Sequence, residues 1–177
     1  MMEKVSINIK LECVTGNIAA QKDIEAVVNA ANAQLRIGGG VAGALHRGAG
    51  PGLEEECRPL APIHPGEAVI TGAHKLPNSY VIHCLGPVFG VDRPEAQLLA
   101  ACYRNALRLA EENKIKSIAF PSISTGAFGY PMKEAAKVAF QTVKEEITNL
   151  KHLKLIRFVL HSNDALTLHE KIAKQTL

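Results

Sequence analysis

Near the start of the chain, apolar and polar side chains alternate. Between residues 5 and 13 every second residue is apolar, which is the period of a half-buried strand, and we expect a strand there at an edge of the sheet. Short runs rich in Val and Ile, each bounded by Gly, Pro, Asn or charged residues, predict five buried strands at residues 24–28, 68–71, 80–85, 117–120 and 155–160.

Helical periodicity follows between the later strands. Residues 92–113 open with a helix start signal at Asp92, and residues 131–150 begin with a proline at the first helical position. A further helix is expected at about residues 165–175. Strands that alternate with helices predict an α/β fold of three layers, α/β/α, around a mixed, mostly parallel central sheet.

Length and composition indicate one ordinary globular domain over residues 1–177. Hydrophobic residues make up 47% of the chain and charged residues 21%, which excludes a disordered polymer. The net charge of +3 is spread along the chain and aromatic residues make up 5%, so we do not expect nucleic acid as a partner.

Cysteine and histidine spacing argues against metal chemistry. The four cysteines form no C-x-x-C pair and the seven histidines show no ligand spacing, so we expect neither a disulfide nor a metal site. His46 and His83 are interpreted as packing residues. The chain has no apolar signal-peptide core and no stretch near the roughly 18 apolar residues of a membrane span, so we expect a cytoplasmic protein with no membrane partner.

Two glycine-rich stretches interrupt the core pattern, each where a strand runs out and a helix begins. We call them the first glycine loop (residues 38–43) and the second glycine loop (residues 120–131). Consecutive glycines are costly in chain entropy, so a fold retains them where the backbone takes unusual dihedral angles or approaches something closely. Backbone N–H groups and helix N-termini bind anions without basic side chains. The pair of loops therefore predicts a diphosphate site.

Other interpretations of these residues stay open. Either loop alone could be a tight turn. The G-x-G-x-x-G spacing from Gly38 is that of a dinucleotide site, but residues 33–37 separate it from the strand, so we expect no bound cofactor. Asn29 is interpreted as a structural residue, whereas Asn32 lies nearer the glycines and its amide could bind a ribose diol.

Five separated segments of the chain carry a resemblance. They are residues 15–18 (TGNI), 27–32 (VVNAAN), 38–50 (GGGVAGALHRGAG), 81–87 (VIHCLGP) and 123–131 (ISTGAFGYP). In this order they resemble the macro domain family, whose members bind ADP-ribose and its derivatives. The likeness is nearest to the bacterial and mitochondrial branch that hydrolyses O-acetyl-ADP-ribose and mono-ADP-ribosylated acidic side chains.

The resemblance implies a role for each part of the predicted site. It implies that Asn32 contacts the distal ribose in a catalytic positioning role and that residues 161–163 close the adenine side. Asn17 and Ile18 would border the adenine. Backbone amides from both loops would wrap the diphosphate, and Phe128 would also pack on the distal ribose; the amides are those of Gly38, Gly39, Gly40, Val41, Ser124, Thr125, Gly126, Ala127 and Phe128.

Two positions depart from the family pattern. Asn17 stands where much of the family has an Asp that accepts a hydrogen bond from the adenine amino group, and a charged acceptor is worth about 1 kcal/mol more than a neutral one. Ala42 stands where the hydrolytic branch has an Asp that orients or deprotonates the attacking water. Losing a general base costs typically about 10²- to 10⁴-fold in rate.

These observations leave three hypotheses for the function. The first is slow hydrolysis of ester-linked ADP-ribose, in which the substrate's own phosphate activates water. The second is a non-catalytic reader of ADP-ribose or of mono-ADP-ribosylated proteins, which Ala42 favours. The third is binding of RNA or another nucleotide in the same crevice, and a steep dependence of affinity on salt would identify it.

Overall fold

Within residues 8–177, the part of the chain that the computed structural model describes, six strands form one mixed sheet. They are β1 (Lys10–Thr15), β2 (Ala26–Ala30), β3 (Ala68–Gly72), β4 (Tyr80–Cys84), β5 (Ser117–Phe120) and β6 (Leu155–Leu160). Their order is β1-β6-β5-β2-β4-β3, with β3 antiparallel to β4 and the other neighbours parallel. The predicted mostly parallel mixed sheet with β1 at an edge is confirmed. Residues 5–7 of the predicted first strand lie outside the described residues.

Five α-helices lie between or after these strands in the described residues: α1 (Gly40–Ala49), α2 (Pro51–Cys57), α3 (Glu95–Glu112), α4 (Met132–Glu146) and α5 (Asn163–Thr176). The three predicted helices are confirmed, with ends that differ by up to four residues. The start of α5 is earlier than predicted because the Ser162 hydroxyl accepts the Ala165 N–H at 3.1 Å and caps the helix. The short helix α2 was not predicted, because its first two residues, Pro and Gly, are typical of a turn.

The sheet separates two apolar layers, which confirms the three-layer arrangement. Successive strand residues point to opposite faces, so Val28 packs with α3, α4 and α5, whereas Val27 packs with α1 and α2. The larger layer is centred on four buried aromatic rings whose neighbouring centroids are 4.7 to 6.1 Å apart; they are Tyr103, Phe120, Phe140 and Phe158.

The helices that follow β2 and β5 leave toward opposite faces of the sheet. α1 follows β2 and packs in the smaller layer, whereas α4 follows β5 and packs in the larger layer. Because β2 and β5 are neighbours, the chain diverges at their carboxyl ends and leaves a crevice there, as at the switch point of other open α/β sheets. The two glycine loops border this crevice from its two sides.

Candidate functional site

The three consecutive glycines of the first glycine loop each have a different environment. Gly40, where α1 begins, has a φ of +54°, in the left-handed region that favours glycine. A Cβ on Gly38 would lie 3.3 Å from Nδ2 of Asn32, whereas a Cβ on Gly39 would meet nothing within 4 Å. Unusual dihedral angles and close packing thus both occur here, and the open space at Gly39 leaves room for a ligand to reach the backbone.

The amino end of α1 presents backbone N–H groups to the crevice. The first i to i−4 hydrogen bond of α1 runs from the Gly43 N–H to the Gly39 carbonyl at 3.2 Å. The N–H groups of residues 40–42 therefore have no acceptor within the helix. Gly43 allows this close path, since a Cβ there would collide with the Gly38 carbonyl oxygen and crowd the Arg47 guanidinium. Free N–H groups, a helix dipole and a nearby guanidinium together favour an anion.

Asn32 closes the turn that leads into the first glycine loop. Its Nδ2 donates to the Arg36 carbonyl at 2.8 Å, and its Oδ1 accepts the Arg36 N–H at 3.0 Å. The half-buried amide is therefore held in one orientation, with one N–H and one lone pair still available. Asn32 lies beside the crevice with the donor and acceptor that a ribose diol needs.

The second glycine loop presents backbone N–H groups in the same way. Ser124 has a φ of +68°, and its carbonyl accepts the Tyr130 N–H at 2.9 Å, which closes the loop. Among residues 8–177 the N–H groups of residues 125–128 have no acceptor, and a Cβ on Gly126 would meet nothing within 4 Å. Free donors that border open space make an anion-binding concavity.

The segment after β4 determines the shape of the second glycine loop. A Cβ on Gly86 would collide with Oγ of Ser124, so this position has no room for a side chain. The Phe89 N–H donates to the Phe128 carbonyl at 2.9 Å. The ring centroid of Phe89 lies 5.0 Å from the ring centroid of Tyr130. Gly86 and Phe89 were not among the predicted site residues. Gly86 lies in the segment 81–87 that resembles the family, and the Gly-Pro pair after a strand indicates a turn, but neither signal points to contact with the second glycine loop.

Asn17 and Ile18 lie at the carboxyl end of β1, on the same edge of the sheet as both loops. Asn17 is exposed, and its Oδ1 accepts the Ala19 N–H at 2.9 Å, which caps a short 3-10 turn. The Ile18 side chain is only 6% exposed and packs in the smaller apolar layer, so Ile18 offers a ligand its backbone rather than its side chain. Residues 161–163 follow β6 on the same edge.

A chain of buried polar side chains lies beneath α1 and α2. Asn29 Nδ2 donates to His83 Nδ1 at 3.0 Å, so the proton of the neutral ring sits on Nε2, which is 2.9 Å from Thr71 Oγ1 and 3.6 Å from Cys57 Sγ. Burial, with a smaller effect of nearby His46, lowers the pKa of His83 to about 3. The interpretations of His83 as a core histidine and of Asn29 as structural are confirmed.

No group of three or more His, Cys, Asp or Glu side chains within residues 8–177 is placed to hold a metal ion. No helix in this part of the chain is long and apolar enough to cross a membrane.

The fold and the crevice define a three-layer α/β protein in which two glycine loops with free backbone N–H groups lie at the carboxyl edge of the sheet. The Macro domain family profile matches residues 28–139, and the chain belongs to that family. An O-acetyl-ADP-ribose deacetylase of Salmonella typhimurium is 44% identical over 171 residues, which cover 94% of this chain and 95% of the relative.

Solved structures agree with this family. The Oceanobacillus iheyensis macrodomain with ADP is 37% identical, with a TM-score of 0.91 over 99% of this chain and 95% of that one. The Trypanosoma brucei macrodomain in complex with ADP-ribose is 35% identical, with a TM-score of 0.85 over 91% of this chain and 68% of that one. The resemblance to macro domains is confirmed.

Proposed function

We propose that this protein binds ADP-ribose in the crevice and hydrolyses ester-linked ADP-ribose, either O-acetyl-ADP-ribose or ADP-ribose on acidic side chains of proteins. The observation that carries the proposal is the pair of glycine loops on neighbouring strands, whose free N–H groups border one crevice. The names of the relatives, a deacetylase and a complex with ADP-ribose, supply the chemical class of the ligand.

The diphosphate occupies the crevice between the loops. Neighbouring strands lie about 4.8 Å apart, so donors that follow β2 and β5 can reach two phosphates joined through one oxygen. The donors are the backbone N–H groups of two short segments: Gly38, Gly39, Gly40 and Val41, and Ser124, Thr125, Gly126, Ala127 and Phe128. Backbone donors and a helix dipole suit a ligand with two negative charges, and Arg47 adds a positive charge beside the first loop.

The two halves of the ligand extend in opposite directions from the diphosphate. The distal ribose meets Asn32, whose remaining N–H and lone pair bind its hydroxyls, and the half-buried ring of Phe128 packs on it. The adenine extends along the carboxyl edge past β6 toward Asn17 and the Ile18 backbone.

Hydrolysis consumes one water: the ester C–O bond breaks, and ADP-ribose and a carboxylic acid are released. Ala42 lies in the first turn of α1, is 5% exposed and has no carboxylate, so it cannot take the proton of the attacking water. A phosphate oxygen of the bound substrate takes it instead. The loop N–H groups and Asn32 contribute orientation and electrostatic stabilisation.

A non-catalytic reader of ADP-ribose is the second candidate, and Ala42 is the observation that favours it. Without a general base a binding site can hold ADP-ribose on a modified protein and leave the ester intact. Both candidates use the same crevice and differ only in turnover.

Single-turnover release of ADP-ribose from a protein mono-ADP-ribosylated on glutamate tests both candidates, with this protein in excess over substrate. We expect slow release by the unmodified protein, which we call the parent, and release at least 100-fold faster by Ala42→Asp. The helix N-terminus favours an ionised carboxylate at this position, and that carboxylate can take the proton of the attacking water. Ala42→Asn, which has the same size and no base, is the matched control and should stay near the parent.

Two other results would contradict the hydrolase proposal. Tight ADP-ribose binding without release by the parent would replace the hydrolase with the reader. Absence of ADP-ribose binding in calorimetry would refute both candidates.

A further inference from the structure

Arg157, on β6, is surrounded by hydrogen-bond acceptors. Its guanidinium donates to Glu12 Oε1 at 2.7 Å, to the two carboxylate oxygens of Asp23 at 2.8 and 2.7 Å, and to Oε1 of Gln21 at 2.9 Å. The Arg157 side chain is 12% exposed. Because both ends of its planar fork are engaged, the guanidinium has a fixed position, and it also fixes the Gln21 amide.

Gln21 connects this fixed group to the backbone of Asn17. Gln21 is 9% exposed, and with its oxygen bound to Arg157 its Nε2 donates to the Asn17 carbonyl at 2.9 Å. The Ala20 N–H donates to the same carbonyl at 3.0 Å. Two donors therefore determine the plane of the peptide that joins Asn17 to Ile18.

The orientation of that peptide decides what a ligand meets. In a planar trans peptide the C=O and N–H bonds point in opposite directions. Because the Asn17 carbonyl points at Gln21, the Ile18 N–H points away from the buried network, and it has no acceptor among residues 8–177. The Asn17 side chain is oriented as well, since its Oδ1 accepts the Ala19 N–H and keeps a second lone pair.

We propose that Arg157 and Gln21 are positioning residues that determine which nucleobase the crevice accepts, by orienting the Asn17–Ile18 peptide. The proposal rests on the proposed function, in which the base reaches β1, two strand spacings or about 10 Å from β5. An N–H donor beside an amide oxygen acceptor matches adenine, which offers a ring nitrogen acceptor beside an amino donor. Hypoxanthine reverses both groups and is disfavoured.

Gln21→Glu separates this role from a purely structural one. The new carboxylate still accepts from Arg157, but it cannot donate to the Asn17 carbonyl and repels it. Asp23→Asn is the matched control, because it alters an acceptor of the same guanidinium with no contact to Asn17. Calorimetry with ADP-ribose and with its hypoxanthine analogue gives an affinity ratio for each protein, and thermal unfolding reports whether each variant folds.

We expect the parent to prefer ADP-ribose, Gln21→Glu to reduce the affinity ratio about tenfold, and Asp23→Asn to leave it within about twofold. Gln21→Met, which removes both hydrogen bonds without burying a charge, serves if Gln21→Glu does not fold. ADP-ribose binding with an unchanged ratio in the Gln21 variants, or with no preference in the parent, overturns this inference alone. A parent that binds neither ligand overturns the proposed function with it.

Discussion

Acidification is expected to destabilise this protein through His83. Its ring is fully buried between Asn29 and Thr71 with a pKa of about 3, whereas a histidine in an unfolded chain has a pKa of about 6.5. Between these values the unfolded chain binds a proton that the folded protein does not bind. The contribution of His83 to stability is therefore fully present above pH 6.5 and is lost as the pH falls toward 3.

The loss between pH 7 and pH 5 is about 2 kcal/mol. Linkage with an unfolded pKa of about 6.5 gives this value for any folded-state pKa below about 4, so the result depends on burial and not on the exact shift. It is a large part of the roughly 5–15 kcal/mol that stabilises a typical domain. Burial also lowers the pKa values of His46 and His169, which add acid sensitivity of the same sign.

Urea unfolding followed by far-UV circular dichroism at pH 7 and pH 5 isolates the contribution of His83. The comparison protein is His83→Gln, whose amide is neutral at both pH values and still donates and accepts hydrogen bonds. We expect the parent to lose about 2 kcal/mol more than the variant between the two pH values. Equal losses in the two proteins would show that the buried ring is not the acid-sensitive group.

Three further predictions concern the crevice. Gly39→Glu and Gly126→Glu each place a carboxylate in open space where phosphate would bind, so calorimetry should show ADP-ribose affinity at least about 100-fold weaker with an unchanged circular dichroism spectrum. Gln175→Glu makes the same charge change at an exposed position of α5, and this control should bind ADP-ribose like the parent. Gly86→Ala forces a Cβ into Ser124 Oγ and should cost about 1–3 kcal/mol in urea unfolding and also weaken ADP-ribose binding; unchanged affinity would mean that this contact does not shape the site. ADP-ribose affinity should fall about tenfold or less between 50 and 200 mM salt, and a fall of about 1,000-fold would instead indicate an extended nucleic-acid ligand.

Local patterns predicted most of the fold, and the differences have physical causes. Strands β5 and β6 begin and end where their apolar runs do, because buried parallel strands are apolar on both faces. β1 extends to Thr15, two residues beyond its alternating pattern, because its register pairs Thr15 with Leu160 at the end of β6. The start of α1 at Gly40 was hidden inside a glycine run that is typical of a loop.

The candidate site was only partly predictable. Both glycine loops were recognisable, since strand, glycines and helix follow one another along the chain. Gly86 and Gln21 were not, because their importance depends on contacts that cross the sheet. Gln21 and Arg157 are 136 residues apart, and the parallel pairing of β1 with β6 brings them together.

The order of apolar, polar and glycine residues alone decided the three layers, the class of fold and the position of the two glycine loops, because the hydrophobic effect acts through short, local periods and consecutive glycines interrupt them. Strand order decided the rest. It put β2 beside β5 so that both loops border one crevice, and it left particular backbone N–H groups without acceptors while pairing others. Hydrogen-bond partners depend on which distant segments become neighbours, and no local period of the chain contains that information.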